Sequence, residues 1–91
     1  METELNFTYD AEKKVYKASF ISGGCSNVCQ VDGKADRVLV VYANIPGMEP
    51  VIIHSFVKGS ANTIFNVAVP EGVEITITSS SEVSSAKVIT E

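Results

Sequence analysis

Apolar side chains recur at every second position along most of this chain, and no stretch keeps the 3.6-residue period of an amphipathic helix. The clearest case is the segment 73–78, where Val73, Ile75 and Ile77 alternate with polar residues. Such alternation is typical of a β-strand that has one face on a core and the other in water. The pattern therefore predicts an all-β fold.

Residues that favour turns divide the chain into seven or eight such segments, roughly 10–12 residues apart. The number and spacing of the segments predict an antiparallel β-sandwich, with a small β-barrel as the alternative. Residues 1–91 are predicted to form a single domain, because neither half could bury a core of its own. The predicted strands are Leu5–Tyr9, Val15–Ile21, Val28–Val31, Arg37–Ala43, Val51–Val57, Asn62–Val69, Val73–Thr78 and Ala86–Thr90.

Two of these segments, 38–43 and 51–57, are apolar on both faces. A sandwich strand needs only one apolar face, and an exposed Val, Leu or Ile forgoes about 1.5–3 kcal/mol of burial. Because soluble monomers rarely expose large apolar patches, we predict a homo-oligomer, with coverage by the chain's own loops as the alternative. The candidate interface residues are Leu39, Val41, Ile45, Met48, Ile53 and Phe56.

The charge distribution argues against nucleic acid and anionic membranes as partners. The net charge is −4, and the seven basic residues are scattered rather than clustered. No apolar run approaches the roughly 18 residues that span a bilayer. The beginning Met1-Glu2-Thr3-Glu4 lacks the basic start and apolar stretch of a signal peptide, so we expect synthesis in the cytoplasm.

The two cysteines offer little chemistry. An extended chain holds the α-carbons of Cys25 and Cys29 roughly 13 Å apart, whereas a disulfide needs about 4.4–6.8 Å. Free thiols are therefore expected, and a local disulfide is the alternative if the glycines beside Cys25 curl the segment. The only histidine, His54, is remote in sequence, so neither a zinc pattern nor an evident catalytic base accompanies the thiols.

The serines and carboxylates form no recognisable catalytic motif. No serine lies in G-x-S-x-G, and the acidic residues fall in turns or at outward strand positions. The turn from Asp32 to Asp36 has too few oxygen ligands for an EF-hand-type loop, which leaves at most a weak surface Ca²⁺ site shared with another loop. We predict a non-enzymatic protein without catalytic residues, metal ligands or cofactor.

Both ends of the chain resemble a known group of proteins. The segments Phe7-Thr8-Tyr9-Asp10, followed by Tyr16, and VPEGVEITITSS at 69–80 resemble small β-sandwich proteins of phages and prophages of gut Bacteroidales bacteria. Those proteins serve as head-fibre or surface components of virions. The resemblance does not extend to the middle of the chain; it implies a non-enzymatic, multimeric virion part and no site residues. The alternative is a binding module for a carbohydrate or protein ligand, although the absence of Trp disfavours a sugar platform.

Overall fold

The computed structural model describes residues 1–90, which form nine β-strands and no helix. The strands are β1 (Glu2–Glu4), β2 (Thr8–Asp10), β3 (Val15–Ile21), β4 (Asn27–Gly33), β5 (Arg37–Asn44), β6 (Val51–Gly59), β7 (Asn62–Val67), β8 (Glu74–Ser79) and β9 (Val83–Thr90). No helix in this range could span a membrane.

The strands form two antiparallel sheets. The four-stranded sheet has the order β1-β9-β4-β7, and the five-stranded sheet has the order β2-β3-β8-β5-β6. The predicted all-β sandwich is confirmed, whereas the small barrel is wrong because the two sheets remain separate and do not close. The described residues hold nine strands rather than the predicted seven or eight.

The core lies between the inner faces of the two sheets, where alternate residues of β4, β5, β7 and β8 are buried. In β5, Leu39 and Val41 are 0% exposed, and Val41 is paired with Ile77 of β8. Their assignment to an intermolecular interface is therefore wrong. Both faces of β5 are apolar, so the sequence could not show which one meets the opposite sheet.

The predicted first strand, Leu5–Tyr9, is wrong over residues 5–7, which connect β1 to β2; only Thr8 and Tyr9 of the predicted range lie in a strand. β1 pairs with β9, and β2 pairs with β3 after the chain has crossed the sandwich. Leu5 is buried, its amide donates to the carbonyl of Ala86 at 2.9 Å, and Phe7 packs against the core. In the connection between β1 and β2, apolar and polar side chains thus alternate as they do in a strand.

A buried asparagine organises the passage from β3 to β4. Asn27 is 0% exposed, and its amide donates to Ser22 Oγ at 3.0 Å and to the carbonyls of Gly24 and Val67 at 3.0 and 2.9 Å. Its Oδ1 accepts from the amide of Gly23 at 2.9 Å. These hydrogen bonds take the place of those that the Asn27 side chain would make to water, so the side chain can be buried. The bond to Val67 connects the loop to β7.

Arg37 fastens the opposite end of the sandwich. Its guanidinium is almost fully buried and donates to the carbonyls of Val31 at 2.6 Å and Ser60 at 3.0 Å, and to Thr63 Oγ1 at 3.3 Å. Burial lowers the pKa of Arg37, and the charge of Asp32 opposes that shift. These bonds fix the turn between β6 and β7 against β4.

Candidate interface at the β6–β7 edge

The two sides of the sandwich end in very different strands. One side ends in β1 and β2, which are three residues long each, and the other in β7 and β6, which have six and nine residues. β6 pairs only with β5, so its other side presents backbone N–H and C=O groups to the surroundings. A long edge strand is a template for pairing with another chain.

Two irregularities in the β5–β6 pairing decide which side chains of β6 face outward. The register shifts between Val41 and Tyr42 and between Arg37 and Leu39. His54 is consequently opposite Val41 on the inner side, whereas Ile52 is opposite Tyr42 on the outer side. Strict alternation would place Ile52 on the same face as His54 and Phe56; it fails in β6 because each bulge inserts a residue without a partner.

An aromatic cluster fills the gap between the sheets at this edge. The ring centroid of His54 lies 5.9 Å from that of Phe56 and 5.6 Å from that of Phe65. The centroids of the two phenylalanine rings are 5.3 Å apart. His54 Nε2 lies 3.0 Å from the backbone carbonyl of Asn66, to which an imidazole N–H donates. A side chain of β6 thereby bonds to the backbone of β7 and links the edge strands of the two sheets.

The exposed apolar residues of this edge are mostly ones that the sequence did not select. Ile52 is 59% exposed, Val57 is 70% exposed, and Ile64 of β7 is 64% exposed. Val57 and Ile64 line the same surface depression. Ile64 could have been found from the alternation of β7, whereas Val57 lies at a bulge that no local pattern indicates.

The remaining four predicted interface residues lie on or beside this edge. Ile45 and Met48 are exposed in the loop that precedes β6, where the amide of Met48 donates to the carbonyl of Ile45 at 3.0 Å. Ile53 and Phe56 are half-buried and pack against the core. The structure therefore places these four on or beside β6, with Phe56 directly opposite the buried Leu39 of β5.

Charge is sparse and asymmetric along this edge. Between positions 49 and 67 the charged residues are Glu49, just before β6, and Lys58, near its end, and both are exposed. The opposite side of the sandwich instead carries Glu2 and Glu4 on β1 and Asp10 on β2. Charged side chains on short strands discourage pairing at that side, whereas the central part of β6 carries no charged side chain.

The two cysteines differ in exposure, and no cluster of potential metal ligands accompanies them within residues 1–90. Cys25 is exposed, Cys29 is buried, and no disulfide joins them. Burial raises the pKa of the Cys29 thiol to about 12, which keeps it protonated and unreactive at neutral pH. In the described part of the chain, no group of three or more His, Cys, Asp or Glu side chains could hold a metal ion.

Comparison with protein-family models, with curated proteins and with solved structures found no match to this chain.

Proposed function

We propose that this chain is a non-enzymatic assembly protein that self-associates by pairing the β6 strands of two copies. The observation that supports the proposal is a nine-residue strand that is hydrogen-bonded on one side only and carries exposed Ile52 and Val57. A second copy would supply partners for the open backbone groups and cover both side chains. Two-fold self-association is the commonest arrangement in soluble oligomers.

The charges favour an antiparallel arrangement of the two strands. Glu49 and Lys58 stand at opposite ends of the segment. In an antiparallel pair, Glu49 of one copy approaches Lys58 of the other, and the same contact recurs at the other end. A parallel pair would place like charges together, which destabilises neighbouring strands.

The faces of β6 are compatible with the register that these charges select. A two-fold axis between Ile53 and His54 places Glu49 opposite Lys58 of the second copy. The same register sets Ile52 opposite Ser55, both on the outer face, and Val51 opposite Phe56, both on the inner face. Directly opposed residues of an antiparallel pair must share a face, and these two pairs meet that condition.

The proposed contact is small and should be reversible. Joining two edge strands belongs to the low end of interface sizes, so we expect a dissociation constant on the order of 10 µM. A weak contact of this kind is sufficient in an assembly where many copies of a component bind together, because the contacts reinforce one another. A part of a phage virion, which the sequence resemblance implies, is one such setting.

Sedimentation velocity over a range of concentrations, with one matched pair of variants, tests the proposal. Ile52→Lys places a charge on the proposed contact, while Ile21→Lys places it on β3 at an isoleucine of similar exposure, 56% against 59%. We expect the wild type and Ile21→Lys to dimerise alike and Ile52→Lys to remain monomeric, with equal unfolding midpoints for the two variants. A monomeric wild type, or equal dimerisation of both variants, would contradict the proposal.

A further inference from the structure

A groove lies on the outer face of the five-stranded sheet, over β3, β8 and β5. This groove is open to solvent and has a volume of about 600 Å³, within the roughly 300–1,000 Å³ typical of small-ligand sites. Its floor is formed by outward side chains of β3, β8 and β5, and Lys13 and Pro50 contribute from the adjoining turn and loop. The floor residues are Val15, Lys17, Ser19, Tyr42, Asn44, Glu74, Thr76 and Thr78.

The polar groups of the floor hold one another in place. Ser19 Oγ and Thr76 Oγ1 are 3.0 Å apart, and the Asn44 amide donates to Thr76 Oγ1 at 2.8 Å and to Glu74 Oε1 at 3.2 Å. The bond between the two hydroxyls uses one of their two protons, and the Glu74 carboxylate keeps further lone pairs. The floor therefore presents fixed donors and acceptors side by side to the solvent.

Tyr42 adds an aromatic surface to this polar floor. It is half-buried on the outer face of β5, and its neighbours across the sheet are Thr76 and Ile52. An aromatic ring next to hydroxyl, amide and carboxylate groups suits a ligand that has both apolar C–H faces and many hydroxyls. Sugar rings have both properties.

The charges of the groove indicate a ligand without a strong charge of its own. Lys17 lies 3.2 Å from Asp10, which compensates it, and Lys13 and Glu74 are opposite in sign. A polyanion would meet Glu74, and a polycation would meet the two lysines.

We propose that this groove binds a neutral oligosaccharide, with Tyr42 stacking on a sugar ring and Asn44, Glu74, Ser19 and Thr76 bonding to its hydroxyls. The residues that line the groove are not those of the proposed β6 contact, so this proposal goes beyond self-association. Tyr42 provides the aromatic platform that the absence of Trp had argued against.

Amide chemical shifts during titration with neutral disaccharides of glucose, mannose, galactose and N-acetylglucosamine test the site. With at least one sugar, we expect saturable changes confined to residues of β3, β5 and β8 that line the groove. Tyr42→Ala should weaken that binding by about tenfold, equivalent to the loss of one aromatic contact. Tyr42→Phe should preserve it, and Tyr9→Ala, which removes an exposed tyrosine of β2 outside the groove, should have no effect.

Asn44→Ala provides a second variant if Tyr42→Ala disturbs the sheet. It removes an amide that bonds to two floor residues, and we expect it to weaken saccharide binding by at least fivefold while the spectrum outside the groove is unchanged. Absence of shifts with all four sugars, shifts centred elsewhere, or unchanged affinity in Asn44→Ala would overturn the proposal. Sugar binding by a strictly monomeric protein would support this site while refuting the β6 contact, so the two proposals can fail separately.

Discussion

Exchanging the two charges of the β6 segment should first weaken and then restore self-association. In the proposed dimer, Glu49 of each copy meets Lys58 of the other, so Glu49→Lys alone creates two Lys–Lys contacts and Lys58→Glu alone creates two Glu–Glu contacts. The double variant re-forms two attractive contacts with reversed polarity and keeps the net charge at −4. Its dimerisation should match that of the wild type.

The expected size of the effect follows from the exposure of both residues. An exposed ion pair contributes about 0.5 kcal/mol, and like charges at the same distance cost a similar amount. Over two symmetric contacts, each single variant loses about 2 kcal/mol, which raises the dissociation constant about 30-fold. High salt should shrink this difference, because the screening length falls from about 10 Å at 0.1 M to about 3 Å at 1 M.

Sedimentation equilibrium at low and high salt measures these constants, and Glu12→Lys is the matched control. Glu12 is exposed in the turn between β2 and β3, at the other side of the sandwich, so its replacement changes the net charge as Glu49→Lys does. Should the double variant stay as weak as the single ones, or should Glu12→Lys weaken dimerisation equally, the antiparallel register would be refuted.

Three further predictions concern the folded chain itself. Leu39→Ala should lower the free energy of unfolding by about 2–5 kcal/mol in urea titrations, because Leu39 is fully buried. Ile52→Ala should change the free energy of unfolding of the monomer by less than about 0.5 kcal/mol, because Ile52 is exposed. Similar values for both variants would contradict the placement of β5. A thiol reagent such as DTNB should modify Cys25 in the folded protein and Cys29 only on unfolding, and rapid modification of both would refute the burial of Cys29. The backbone amide of Lys13 and then the side chain of Lys17 lower the pKa of Asp10 below its ordinary 3.8, so its stabilisation is present above that value and lost as the pH falls through the lowered pKa. Asp10→Asn should therefore destabilise the chain at pH 7 but not below that pKa, as urea titrations at several pH values would show.

The sequence predicted strands well where a single face is apolar. β8 was predicted from Val73 to Thr78 and extends from Glu74 to Ser79, with Ile75 and Ile77 in the core. Here local alternation and tertiary burial agree, because the outward positions of this strand are polar.

Sequence reasoning failed where burial depends on the opposite sheet or on pairing geometry. Leu39 and Val41 could not be distinguished from the other apolar face of β5 until the position of the second sheet was known. The exposure of Val57 depends on a bulge in the β5–β6 ladder, which is set by the partner strand. The groove around Tyr42 was missed for a related reason, since its floor joins three strands that are distant in sequence.

Amide hydrogen exchange as a function of protein concentration tests the β6 contact most directly. If β6 pairs with a second copy, its outward-facing amides should exchange more slowly well above the dissociation constant than well below it, while the amides of β2 at the other edge exchange equally at both concentrations. Exchange in β6 that is independent of concentration, or new protection confined to another strand, would contradict self-association through this edge.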